Sequence, residues 1–259
     1  MVGWLPNAAG GLCGTNPNAG LSRMNRLQKL IDRAFLHSMN GNKANILRLM
    51  EPDSACRFVD LGCDDGSWSV ECGKRLGTLQ LCGVEVAEKR VALAKVRGVQ
   101  AIQGDLNKRL PFDDEFFDCV HSNQVIEHLL DTGAFMREVN RVLKNGGYSI
   151  ISTENASSWH NIAALMLGWQ MFSLTNISYK AGVGNPFALY RGRLDARDSW
   201  QHIRIFSYRG LIEYVECYGF RVERVLCSGY YPLPYWVARI DPRHGHYIAL
   251  KARKIGPAD

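Results

Sequence analysis

Apolar residues near the start of the chain recur at helical spacing, with Leu27, Leu30, Ile31 and Phe35 on one stripe. The pattern predicts one helix over Leu21–Met39 and a second over Lys43–Met50, ended by Glu51 and Pro52. From Arg57 the chain alternates strictly between short apolar runs and amphipathic stretches. Strands are expected at 57–61, 79–84, 99–103, 117–121 and 148–152, and helices at 67–76, 87–96 and 133–143. In the last of these helices Phe135, Met136, Val139, Val142 and Leu143 share a stripe, and Gly146-Gly147 is expected to stop it. Such alternation predicts an α/β fold, a doubly wound parallel sheet with helices on both faces. Residues 156–201 break the rhythm and are read as a cap insertion over the carboxyl edge of the sheet. Regularity returns with a helix at 208–218 and strands at 220–227 and 247–254.

Composition narrows the class. With 46% hydrophobic and 22% charged residues the chain is neither disordered nor fibrous. Residues 1–20, rich in Gly, Asn, Ala and Pro, read as a flexible arm, and 21–259 as a single domain. The longest apolar run, 162–174, is too short to span a bilayer and is broken by Gly168 and Gln170. The opening residues lack the basic and apolar regions of a signal peptide. Eight cysteines form no C-x-x-C pair, which fits reduced thiols and a cytoplasmic location. A net charge of +6 is too mild to demand nucleic acid, and no RNA-binding motif accompanies it.

The candidate chemistry starts where the first central strand meets the next helix, at Asp60-Leu61-Gly62-Cys63-Asp64-Asp65-Gly66. Glycines there let the backbone turn tightly and let a ligand approach the helix start. Glu85, 19 residues beyond Gly66, ends the next strand, where an acid accepts hydrogen bonds from a ribose diol. Asp105 and Leu106 follow the third strand and suit an adenine edge. The glycine spacing is not the G-x-G-x-x-G of dinucleotide enzymes, and three acids stand where a pyrophosphate would sit. Carboxylates favour instead an adenosine carrying an ammonium and a sulfonium, which describes S-adenosylmethionine.

The segments VDLGCDDG (59–66), GVEV (83–86), QGDLN (103–107), LPFDDEFFDCVHSNQVIEHL (110–129) and REVNRVLKNGGYSIIST (137–153) resemble the class I S-adenosylmethionine-dependent methyltransferases. Within that class they are similar to the type 11 small-molecule group. HIRIFS (202–207) and the Gly219-Phe220 pair match more loosely. The resemblance implies a Rossmann-like, seven-stranded, mostly parallel sheet whose last strand is antiparallel. It implies that Asp60, Gly62, Asp64 and Gly66 border the methionine part of the cofactor. Glu85 and Val86 would meet the ribose, Asp105 and Leu106 the adenine, and Asn123 the region of the methyl donor. Asp64 departs from the family, which usually has glycine there; altered rather than abolished affinity is expected.

Gln124-Val125-Ile126-Glu127-His128, with the distant His202, forms a second constellation. Small-RNA 2′-O-methyltransferases and ubiquinone-pathway O-methyltransferases resemble it and bind a divalent metal through Glu-x-x-Glu-His and a later acid or His. Gln124 replaces the first acid and is a poor ligand for a hard cation, so a metal is not expected; Glu127, His128 and His202 are the candidate ligands. The alternatives are that His128 or His202 is a general base, or that His128 is structural. Trp159, Trp169, Phe172, Tyr190, Trp200, Tyr230, Tyr231, Tyr235 and Trp236, with Met166 and Met171, would wall a pocket for an apolar or aromatic acceptor, or simply pack a core. Contact of 163–172 with a membrane surface is the minor alternative. The expected activity is methyl transfer to an oxygen or nitrogen of a small molecule, ahead of carbon. The rivals are a non-catalytic cofactor-binding protein and a nucleic-acid methyltransferase. Oligomeric state leaves no mark on a single sequence.

Overall fold

The structure, a computed structural model, describes residues 26–176, 182–188, 201–231, 233 and 235–258. Seven strands, β1 (Phe58–Leu61), β2 (Leu81–Glu85), β3 (Gln100–Gln103), β4 (Phe117–Asn123), β5 (Leu143–Glu154), β6 (Phe220–Ser228) and β7 (Tyr247–Lys254), form one sheet in the order β3-β2-β1-β4-β5-β7-β6. β1 to β5 run parallel, and β7 pairs antiparallel with both β5 and β6. The order reverses at β1, so a crevice opens beyond the carboxyl ends of β1 and β4, where such sheets bind ligands.

The helices are α1 (Arg26–Leu49), α2 (Ser67–Leu76), α3 (Glu88–Val96), α4 (Thr132–Val142), α5 (Trp159–Met166) and α6 (Tyr208–Glu216). On one face Ile46 and Leu49 of α1, Cys72 and Leu76 of α2, and Val91 and Ala94 of α3 pack on Phe58 and Cys119. On the other, Phe135, Met136 and Val139 of α4 and Leu211 and Val215 of α6 bury Phe117 and Phe220. Asp131 caps α4 by accepting from the Ala134 N–H at 2.8 Å, and Ser207 caps α6 by accepting from Gly210 N–H at 3.1 Å. Seven described cysteines are free, four of them buried, and Cys217 is exposed.

Two expectations are corrected. The two helices expected at 21–39 and 43–50 are one, because Asn40-Gly41-Asn42 does not interrupt α1. This helix docks through a small, polar face: Gly41 lies against Ser228, and a Cβ there would stand 3.1 Å from the Ser228 Cβ. Asn45 donates to Cys227 O at 3.1 Å. Asn42 donates to Asn123 Oδ1 at 3.0 Å and Ser152 Oγ at 2.8 Å, tying α1 to the ends of β4 and β5. Second, Gly146-Gly147 does not stop α4, which has already ended at Val142; both glycines lie within β5, where the register with β4 shifts. The arm at 1–20, the side chains of Leu27, Leu30 and Ile31, and Tyr190 and Trp200 lie outside the described residues.

Asn42→Ala would leave the buried Asn123 and Ser152 side chains without their donor. An unpaired buried polar group costs about 1–3 kcal/mol. Urea unfolding should therefore show a stability loss in that range with an unchanged m-value.

Candidate functional site

The glycine loop between β1 and α2 is built for close approach. Gly62 has φ +86°, and a Cβ there would lie 2.6 Å from Val125 Cγ2; Gly66 has φ +76° and would meet Ala94 Cα at 2.9 Å. A side chain at either point would move the loop or the wall behind it. Glu85, at the end of β2, is buried and pinned by two backbone N–H groups, Ala87 at 2.9 Å on Oε1 and Asp64 at 3.2 Å on Oε2. Burial pushes its carboxyl up, and these N–H groups offset part of the shift. Each oxygen keeps a second lone pair, the acceptor pair a ribose diol requires. Val86 follows directly, its carbonyl accepting from Gln103 Nε2 at 3.0 Å. Beyond β3, the Asp105 carboxylate accepts from Asn107 N–H at 2.9 Å and Nδ2 at 3.0 Å, which hold it below the ordinary carboxylate range, and Leu106 is buried beside it.

Each loop acid has a close protein partner that the sequence alone does not place beside it. Asp60 accepts from Ser69 Oγ at 2.6 Å on Oδ2 and faces His121 Nδ1 at 2.7 Å on Oδ1. Asp64 occupies the left-handed region at φ +47°, as the glycine it replaces would do without cost. Its Oδ1 lies 3.0 Å from Arg90 Nε, and burial raises its pKa against that pairing. Asp65 pairs with Arg97 at 3.2 Å, and the same guanidinium donates to the Asp65 carbonyl at 2.7 Å. Asn123 gives its side-chain oxygen to Asn42.

The second constellation assembles as the sequence placed it. After β4, Gln124 turns the chain at φ +57°, and a single 3₁₀ turn, Ile126–His128, follows. His128 Nδ1 lies 3.1 Å from Gln201 O, and His202 Nδ1 lies 2.6 Å from Ser173 O. Carbonyls only accept, so each Nδ1 carries a proton, which leaves Nε2 as the ring nitrogen that can hold a lone pair. The two rings meet edge to face with centroids 4.8 Å apart. Glu127 accepts from Thr153 Oγ1 at 2.8 Å on Oε2, while its buried Oε1 has no partner. Burial pushes the Glu127 carboxyl up to about 7. Burial, with the neighbouring His202, pulls His128 down to about 4, so His128 is neutral at physiological pH. One ligand atom from each of Glu127, His128 and His202 lies within 4.8 Å of the others. Such a set of acceptors can take a proton from a substrate or hold a cation.

Behind it stand Glu154, His160 and His246, which the sequence did not single out, together with Tyr231, one of the aromatics expected to wall a pocket. Glu154, at the end of β5, lies 4.0 Å from His202 Nδ1 and 3.7 Å from His246 Nε2. Tyr231 Oη meets His246 Nδ1 at 2.5 Å, and the buried His160 stacks on Tyr231 with centroids 4.8 Å apart. Glu154, the last residue of a largely buried strand, was the signal available, since an acid there needs partners. Among the aromatics expected to wall a pocket, Tyr230 is buried, Trp236 is exposed, and Trp159 donates to Asp241 at 2.7 Å.

His160 also gives a pH dependence. Burial and the adjacent His246 hold its pKa well below 6.5, so the unfolded chain binds a proton there that the native state refuses. Stability should fall as pH drops below about 6.5, with a slope of up to ~1.4 kcal/mol per pH unit from this one group. His160→Gln should flatten that limb in urea titrations at pH 5 to 7. An unchanged limb would show that other groups set it.

A Rossmann-like sheet with a glycine loop, a pinned acid at the end of β2 and an acceptor-rich cluster after β4 defines an adenosine-cofactor enzyme fold. A family profile described as "Methyltransferase domain" matches residues 23–225. The chain belongs to that methyltransferase family, the class I, S-adenosylmethionine-dependent group that its motifs resemble. Among curated proteins it is 34% identical over 119 residues to a ubiquinone biosynthesis O-methyltransferase of Bradyrhizobium, covering 44% of this chain and 46% of that protein. It is 29% identical over 111 residues to a demethylmenaquinone methyltransferase of Staphylococcus saprophyticus, covering 40% and 47%. The chain thus spans about half the length of these relatives. An S-adenosylmethionine-dependent methyltransferase from Mesorhizobium loti superposes with a TM-score of 0.57 at 20% identity, over 82% of this chain and 96% of that one. The expected fold class holds. Among the described residues no helix is long and apolar enough to cross a membrane.

Proposed function

We propose that the chain moves the methyl group of S-adenosylmethionine to an oxygen or nitrogen of a small molecule, with His128 and His202 accepting the proton. The observation that carries the reading is that both Nε2 lone pairs, fixed by backbone carbonyls, sit beside the carboxyl end of β4. The residues present fit the cofactor: Glu85 offers two oxygens with lone pairs to spare, and Gly62 and Gly66 let the loop turn tightly against Val125 and Ala94 beside it. Bound there, S-adenosylmethionine supplies an electrophilic methyl group on a good leaving group. Glu85 orients the ribose, and the loop and α1 exclude water from the crevice. His128 Nε2 or His202 Nε2 takes the proton from the attacking hydroxyl or amine, so no charge builds on the acceptor. The names of the relatives agree with a small, ring-bearing acceptor. Transfer of labelled methyl to phenols, quinols and amines tests the reading. A protein that binds the cofactor and methylates none of them would favour the non-catalytic alternative.

A second reading has one observation in its favour, the convergence of Glu127, His128 and His202 within 4.8 Å. With Glu127 Oε1 unpartnered, this set fits a divalent cation that would lower the pKa of a coordinated acceptor hydroxyl. The two readings separate on chelation. The general-base reading expects turnover to survive exhaustive chelation. Loss of turnover restored by Mg²⁺ or Mn²⁺ would establish the metal.

A further inference from the structure

Asp60 stands at the entrance to the glycine loop, yet neither of its oxygens is free of a close protein partner. Its Cα register partner across the β1–β4 pair is His121, a residue with no exposed surface that directly follows the buried Cys119 and Val120. His121 Nδ1 and Asp60 Oδ1 are 2.7 Å apart, and Ser69 Oγ on α2 donates to the other oxygen at 2.6 Å. The second ring nitrogen is also engaged: Trp68 Nε1 donates to His121 Nε2 at 3.5 Å. That donation leaves the proton on Nδ1, aimed at the carboxylate. The Lys43 ammonium of α1 lies 5.2 Å from the centre of the Trp68 ring. A continuous chain therefore runs from α1 through Trp68 and His121 to the first residue of the cofactor loop.

A histidine in a central strand costs stability unless both its nitrogens are satisfied. Here both are: one partner, Trp68, belongs to α2, and the other, Asp60, is the β1 residue that leads into the loop. We infer that His121 is a positioning residue of the cofactor site: it holds the Asp60 carboxylate, and through it the Gly62–Gly66 loop, in the conformation that accepts the cofactor. Asp60 then serves as a strut between β1, β4 and α2, and its contribution to binding passes through His121. The inference rests on the S-adenosylmethionine reading of the crevice.

A double-mutant cycle tests it, with S-adenosylhomocysteine as the probe in calorimetry on the full chain. His121→Val and Asp60→Asn should each weaken binding tenfold or more, and the double variant should bind no worse than the weaker single variant. Thermal melts of each variant with and without ligand check that the protein titrated is folded. Unchanged affinity in folded His121→Val would overturn the inference, as would losses that multiply in the double variant, because Asp60 would then act on the cofactor independently. Should His121→Val not fold, Trp68→Phe gives the test, since it removes the donor to Nε2 from a partly exposed position. Affinity reduced at least threefold is expected, and unchanged affinity would overturn the proposal. Absence of binding by the wild-type chain would instead refute the cofactor reading itself.

Discussion

Glu85→Ala should weaken S-adenosylhomocysteine binding about a hundredfold. Hydrogen bonds to a charged group are worth about 1.5–3 kcal/mol each, and two hydroxyls of a diol lose them together. At the lower end of that range the two losses sum to about 3 kcal/mol, a little over a hundredfold, because water entering the space left by the side chain recovers part of each contact. Ala87 and Asp64 N–H groups also lose their acceptor, so the loop loosens as the ligand contacts disappear. Glu85→Gln separates the two effects. It keeps the shape and one acceptor oxygen and should bind between the wild-type and alanine proteins. Calorimetry on variants shown to be folded by circular dichroism provides the check, and an alanine variant within threefold of wild type would remove Glu85 from the site.

The second large effect belongs to the histidines. His128→Ala and His202→Ala should each reduce kcat about a hundredfold or more if the acceptor is a neutral hydroxyl, the usual scale for a lost general base. S-adenosylhomocysteine affinity should stay within about threefold, since neither ring touches the glycine loop or Glu85. With the His128 pKa pulled down to about 4, its base form persists as pH falls from 7 to 5. A rate limited by His128 should then stay nearly level across that interval, whereas an ordinary histidine would lose most of its base form. Full turnover in both alanine variants would make the histidines structural.

Much of this architecture was legible in the sequence. The runs at 67–76 and 247–254 match α2 and β7 residue for residue, because each is bounded by glycine or by a clean change of period. Glu85 and the His128–His202 pair stood out because each sits at a strand end or in a spaced motif. Two of the misreadings share one cause, polar residues whose partners are distant in sequence. Asn42 looked like a helix break because its acceptors, Asn123 and Ser152, lie 81 and 110 residues away. Asp60, Asp64 and Asp65 looked like a cluster of open charge because His121, Arg90 and Arg97 could not be placed beside them. His121 itself carried a signal, a polar residue inside a buried strand, which can be read only by asking what satisfies it. Glu154, His160, Tyr231 and His246 come together through β5, α5 and β7, a proximity that only the fold creates.

The central claim is that the crevice beyond β1, β2 and β3 holds S-adenosylmethionine. Calorimetric titration of the ligand-free chain with S-adenosylmethionine and S-adenosylhomocysteine tests it most directly. Saturable binding with one site per chain, in the micromolar range, is the predicted result. A folded, ligand-free chain that binds neither compound would contradict the account at its root.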